Sequence, residues 1–146
     1  MFMHSFAHHS FGMQLAQLSR AWRAELDRRL SSLGLSQARW LVLLHLALLK
    51  ETPTQRELAQ TVGVEGPTLA RLLDGLEAQE LVQRIAVPED RRAKKVILSD
   101  KARPLIEQIE SIARQLRQEL FVGISEEEQR LCQDIHARIL GNLEKN

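Results

Sequence analysis

TQRELAQTVGVEGPTLARLLDGLEAQELVQRIAVPEDRRAKKVIL, residues 54–98, reads as helix, turn, helix and a short β-hairpin with basic residues at its tip. In the second helix, expected over residues 65–80, Leu69, Leu72, Leu73 and Leu76 recur at helical spacing and share one side. Pro67, Arg71, Asp74 and Ala78 then point the opposite way, with Thr68 and Gly75 on the shoulder. That outward face is small, with one long basic side chain near its middle. A helix lying in a DNA groove needs such a profile, because bulk would hold its backbone away from the base edges. Arg71 is the natural reader, since its planar fork can pair with guanine O6 and N7. An ordinary amphipathic helix with a solvated Arg carries the same pattern, so this helix alone does not decide between them.

The next stretch of chain is more specific. The apolar run 81–87 is rich in β-branched residues and ends at Pro88-Glu89-Asp90, a turn signal, and Val96-Ile97-Leu98 makes a second short strand. Between the strands sit Arg91, Arg92, Lys94 and Lys95. A hairpin lifting four cations off the surface suits a phosphate backbone, and an Arg tip suits a narrow, electronegative minor groove. Upstream, Thr54 with Glu57 three residues on forms a capping box, and Gly63 ends a short helix whose inner face is Leu58, Ala59 and Val62. Gln55 and Arg56 lie at the amino end of that helix, beside backbone N–H groups that can position phosphate without reading sequence. Glu65 is unfavourable so close to phosphate unless it caps the next helix or accepts from cytosine N4.

The pattern Leu58-Ala59, Val62-Gly63-Val64, Leu69-Ala70-Arg71-Leu72-Leu73, Leu76-Glu77 and Asp90-Arg91-Arg92-Ala93-Lys94 resembles the MarR family of winged-helix transcription regulators, its SlyA-like branch most of all. Arg20-Ala21-Trp22-Arg23 and Trp40 before the motif, and Lys101-Ala102 with Pro104-Leu105-Ile106 after it, extend the resemblance over about residues 13–143. The implied fold is mainly α (α+β): a winged helix-turn-helix lobe at 36–98 and a helical dimerisation region at 13–35 and 99–146, after a flexible tail at 1–12. The implied DNA-binding residues are Thr54, Gln55, Arg56, Pro67, Thr68, Arg71, Arg91, Arg92, Lys94 and Lys95. Arg91 is expected in the minor groove, Lys94 and Lys95 against the backbone, and Asp90 is expected to hold the tip by pairing with Arg92.

The flanks are helical. Leu15, Leu18, Trp22, Leu26 and Leu30 form a stripe ending near Gly34, and Ser36 caps a second helix whose run 40–49 is apolar nearly all round. Ser99 is expected to cap a helix running to about Val122, with Pro104 beyond its first turn and bending it there. Its stripe is Leu105, Ile109, Ile112, Leu116 and Leu120. After Gly123, Ser125 and Glu128 make another capping box for a helix carrying Leu131, Ile135, Ile139 and Leu143. These helices read as an arm for a second copy, through about 13–33, 99–122 and 125–144, or as three helices folded back on their own domain. The resemblance implies the first, as a two-fold homodimer on a pseudo-palindromic operator.

The resemblance also implies release from DNA by a small phenolic or aromatic carboxylate effector, with Trp22 and Trp40 lining its pocket and Arg20 or Arg23 meeting the carboxylate. Where close relatives place a pocket histidine, this chain has Leu44, with His45 one step further.

Composition bounds the alternatives. The 146 residues suit one domain with an oligomerisation arm, and a net charge of +1 excludes a uniformly basic coat but not a local basic patch. One cysteine, Cys132, precludes an internal disulfide, and no stretch suggests a signal peptide or a membrane span, so a soluble cytoplasmic protein is expected. Cys132 reads as structural, and His4, His8 and His9 as part of the tail rather than metal ligands. No phosphate-binding Gly loop, H-E-x-x-H, G-x-S-x-G or paired C-x-x-C occurs, and Asp134 and His136 do not share a helix face, so neither an enzyme nor a cofactor or metal site is expected. Two rivals stay open: a winged-helix module for protein contact, and a redox- or metal-responsive regulator on the same scaffold.

Overall fold

In the computed structural model, which describes residues 10–145, the chain forms six α-helices and one two-stranded ribbon. They are α1 (Phe11–Leu30), α2 (Gln37–Leu48), α3 (Gln55–Val62), α4 (Gly66–Ala78), β1 (Val82–Val87), β2 (Asp90–Leu98), α5 (Arg103–Leu120) and α6 (Glu126–Glu144). The chain divides into two compact units, residues 1–113 and 114–146. The division differs from a lobe bounded at 36 and 98, because the end of α1 and the start of α5 share the first unit's core. Leu26 and Leu30 of α1 are buried there, as are Ala102, Ile106 and Ile109. His4, His8 and His9 lie outside the described residues. No helix among the described residues is long and apolar enough to cross a membrane.

Within the first unit, the core is a leucine seam. Leu69, Leu73 and Leu76 of α4 are fully buried with Leu58 of α3 and Leu43 of α2, each contributing about 1.5–3 kcal/mol by leaving water. Trp40 joins them at 1% exposure, and its indole Nε1 donates to Asp27 Oδ1 on α1 at 2.8 Å. Beside it on α2, Arg39 reaches the other way, donating to Gln79 Oε1 at 2.8 Å just past the end of α4. The Arg39 guanidinium crosses α4 over Gly75, where a Cβ would overlap it. Gly75 is thus a gap left for a neighbour's side chain.

Local chemistry sets the element ends. Thr54 Oγ1 accepts from Glu57 N–H at 3.1 Å, and Glu57 Oε1 accepts from Thr54 N–H at 2.8 Å. Gly63, at φ +85°, closes α3, with its own N–H and that of Val64 both donating to the Ala59 carbonyl. Helix α4 begins at Gly66, one residue later than expected, and Pro67 sits where a missing N–H costs nothing. Pro104 likewise falls in the first turn of α5, because Ser99 caps a separate short turn at Asp100–Ala102. The bend expected at Pro104 therefore has no interior hydrogen bond to break.

The ribbon is longer than the sequence pattern suggests. It pairs Val82 with Leu98 through Ala86 with Lys94, and Val87 with Asp90 across the turn. Arg91, Arg92, Lys94 and Lys95 therefore lie on β2 itself rather than in a loop between strands. Residues 91–93 bulge at the tip without cross-strand partners in this ladder. At its root, Val82 and Val96 are buried, Val96 N–H donates to the Pro53 carbonyl at 3.0 Å, and Thr54 bridges Lys95.

The second unit, residues 114–146, holds the end of α5 and all of α6. Helix α6 opens on a capping box between Ser125 and Glu128. Leu131, Leu140 and Leu143 are exposed along it, as is Cys132, which the sequence reads as structural.

Gly75→Ala should change stability by less than about 1 kcal/mol, since better helix propensity offsets the lost Arg39–Gln79 bond. In an Arg39→Ala background the same change should stabilise by about 1 kcal/mol, read from urea melts. Separately, hydrogen bonds from Arg28 and then Arg29 hold the Glu25 carboxyl down to about 2. A depressed folded pKa adds stability above the ordinary value of 4.5, lost as pH falls toward 2. Thermal melts of Glu25→Gln should therefore lie below wild type at neutral pH and converge with it near pH 2.

Candidate nucleic-acid interface

Helix α4 turns one face to the core and leaves the other bare. Pro67, Arg71, Asp74 and Ala78 are exposed, while Thr68 and Gly75 are half-buried at the edge, as the periodicity implies. Arg71 makes no hydrogen bond or ion pair with any described residue, so its fork is available. Glu65 precedes α4 without a side-chain cap bond, so the capping role that would excuse its charge is not realised.

Between α3, the two ends of α4 and the ribbon lies an open groove of about 1300 Å³. Thr54, Gln55 and Arg56 line one end of it, Glu65 and Gly66 another, and Asp90, Arg92 and Lys94 the ribbon side. Residues at the amino ends of both α3 (Gln55, Arg56) and α4 (Gly66) therefore line this groove. The groove is a concave surface for a polyanion, with Thr54 Oγ1 already engaged in capping.

The ribbon tip is ordered by Asp90, but not through an ion pair. Asp90 Oδ1 accepts from the Arg92 backbone N–H at 2.9 Å, instead of pairing with the Arg92 guanidinium. A carboxylate beside a turn satisfies the nearest backbone donor at less conformational cost than a mobile guanidinium two residues away. Arg91, Arg92, Lys94 and Lys95 are all exposed and form no salt bridge within 4 Å of a described acid, while Lys94 and Lys95 help to lower the carboxyls of Glu77 and Glu57.

One residue of this region has no role in the sequence pattern. Arg84, on β1, donates from Nη2 to Asp74 Oδ1 at 2.6 Å and to Glu77 Oε1 at 2.8 Å, and its backbone N–H reaches Glu77 Oε2 at 3.4 Å. The Arg84 guanidinium holds the Glu77 carboxyl below the usual carboxylate range, and Glu77 with Asp74 pushes the Arg84 pKa up in turn. A signal for it does exist in the chain. Arg84 is two residues from buried Val82 and so shares its inward parity, and an inward Arg needs an acid.

The four effector candidates are not gathered at this groove. Arg20 and Arg23 are exposed on α1 and Trp22 is half-buried, whereas Trp40 is sealed in the core and committed to Asp27. Trp40 could meet a ligand only if the core opened. Among the described residues, no cluster of His, Cys, Asp and Glu could hold a metal ion.

Comparison with known proteins agrees with this geometry. Residues 33–93 match the family model described as MarR family. The crystal structure of transcriptional regulator PA3341 is similar at 68% identity and a TM-score of 0.88, over 93% of this chain and 99% of that one. A MarR-family transcriptional regulator from Silicibacter pomeroyi is 26% identical over 94% of this chain and 93% of that one, with a TM-score of 0.82. The S. aureus MepR–DNA complex shares the fold at 23% identity and a TM-score of 0.75, over 92% of this chain and 99% of MepR. A helix seated by one face, a cationic ribbon beside it and near-complete coverage by a close relative lead to one assignment: this chain belongs to the MarR family of transcriptional regulators.

Proposed function

We propose that the chain binds double-stranded DNA sequence-specifically as a homodimer, with α4 in the major groove and the ribbon tip, residues 88–95, in the minor groove. The observation that carries this is a cluster of exposed cations: Arg56, Arg92 and Lys94 line the groove at which α3 and α4 begin, Arg91 and Lys95 neighbour them on the ribbon, and Arg71 stands on the bare face of α4. Exposed cations gathered beside a concave surface suit a polyanion of fixed shape. MepR, which shares this fold, forms a DNA complex.

The homodimer is supported by two apolar faces that are uncovered here. On α1, Phe11, Leu15 and Leu18 are exposed along one side, Leu18 by 59%. On α6, Leu131 and Leu143 are exposed by 59% and 64%, in one stripe with half-buried Ile135 and Ile139. Faces of this kind mark protein contact sites. A two-fold dimer would set two copies of α4 about 34–36 Å apart, one turn of the duplex, and so require a pseudo-palindromic operator. An aromatic effector of the kind the resemblance implies would have to engage Trp22, Arg20 and Arg23, because Trp40 is closed off.

The test is selection of duplexes from random DNA, then fluorescence anisotropy on the recovered site and sedimentation of the free protein. Affinity should fall steeply between about 50 and 200 mM salt. Arg71→Ala should cost roughly 1–3 kcal/mol and relax preference at one position per half-site, whereas Lys94→Ala should weaken all duplexes alike and flatten the salt slope. A salt-insensitive complex, or a monomer that ignores DNA at low ionic strength, would overturn the proposal. An intact affinity in Arg91→Ala beside an abolished one in Lys94→Ala would overturn the placement of the ribbon.

A further inference from the structure

The ribbon is a poor structure by itself, since two strands in water are marginal. It must therefore borrow its direction from whatever grips it. On the β2 edge, the grip is backbone: Val96 N–H donates to the Pro53 carbonyl, and Lys95 bridges Thr54. On the β1 edge, past buried Val82, the grip is Arg84 on Asp74 and Glu77 of α4. The link between α4 and β1 is short, with Glu80 in the left-handed region at φ +63° and its carbonyl accepting from Ser99 Oγ at 2.6 Å. Backbone bonds pin that link at the root, from Glu80 N–H to the Glu77 carbonyl and from Leu81 N–H to the Leu76 carbonyl, and beyond the root Arg84 is the β1 side chain that bonds α4.

The lever is long. At about 3.3 Å per residue, the tip at Val87 lies roughly 10 Å beyond Arg84 but about 16 Å beyond Val82. Loss of the Arg84 grip moves the last side-chain anchor of β1 back to the root and magnifies any pivot at the tip. The same ion pairs contribute little to folding. The Asp74 and Glu77 side chains are 64% and 42% exposed, and pairs so exposed are worth at most about 1 kcal/mol. Arg84, at 19%, is the covered partner that both acids converge on.

We propose that Arg84 is a positioning residue for DNA binding, which aims the wing by fixing the distance between the outer face of α4 and the Arg91 tip. The two acids are its anchors, not incidental charges beside a phosphate site. This role rests on the DNA-binding reading of the groove.

The test is a coupling measurement on the selected duplex, with the full chain. Arg84→Met, Arg84→Lys and Asp74→Asn/Glu77→Gln are each made with and without Arg91→Ala, and folding is monitored by circular dichroism. Each grip variant should weaken binding by about tenfold while melting within a few degrees of wild type. Arg91→Ala should cost about tenfold in wild type but less than about twofold in each grip variant, because a misaimed tip has no contact left to lose. Arg84→Lys should not rescue, since it keeps the charge but not the fork.

An equal Arg91→Ala cost in every background would overturn the proposal. So would tighter binding by Asp74→Asn/Glu77→Gln, which would make the acids simple repellers of phosphate. If wild type itself selects no duplex, the DNA-binding reading fails and not the role of Arg84 alone.

Discussion

Burial of Leu69, Leu73 and Leu76 on one side of α4 is the constraint from which the rest of the interface derives. Three adjacent leucines at zero exposure anchor the helix firmly enough that its other face has no packing duty. That face can then be small and polar, and a single unpaired Arg71 on it costs the fold nothing. The positions that support α4 are occupied by leucine, while those that could meet a ligand are not.

Charge is distributed by the same division. The net charge of the chain is only +1, yet the described surface between α4 and β2 carries a cluster of cations without paired acids. Acids near that surface are engaged: Asp74 and Glu77 by Arg84, Glu57 by Thr54 and Asp90 by the Arg92 backbone. Hydrogen bonds from the Thr54 backbone and hydroxyl hold the Glu57 carboxyl below its ordinary range, as the cap requires. Glu65, exposed in the groove with no cap bond, and Glu89, exposed in the ribbon's turn, are the exceptions.

Helix α2 has a different part in the same construction. Neighbouring residues on it hold two other helices: Trp40 bonds Asp27 of α1, and Arg39 crosses Gly75 to reach Gln79 at the end of α4. Helix α4 is thus tied to α1 through neighbouring residues of α2.

Spacing along the chain suffices for the helix-turn-helix and its caps, the buried face of α4, the family and the cationic ribbon. The leucine period, the Thr54–Glu57 and Ser125–Glu128 boxes, and the run from Asp90 to Lys95 carry them. The remaining features depend on contacts between residues distant in the chain. Trp40 opens a run whose all-round apolar pattern already favours the core, and its bond to Asp27 of α1 is what the sequence does not show. Gly75 reads as a small shoulder residue until Arg39, from 36 positions away, is seen lying over it. Asp90 has a guanidinium within easy reach in sequence, but the turn places a backbone N–H nearer. Arg84 is one more charge in a charged region until β1 folds back along α4 and brings it to Asp74 and Glu77. Periodicity records which side of an element faces inward; which partner waits there is fixed by how the elements cross, and that is a tertiary property.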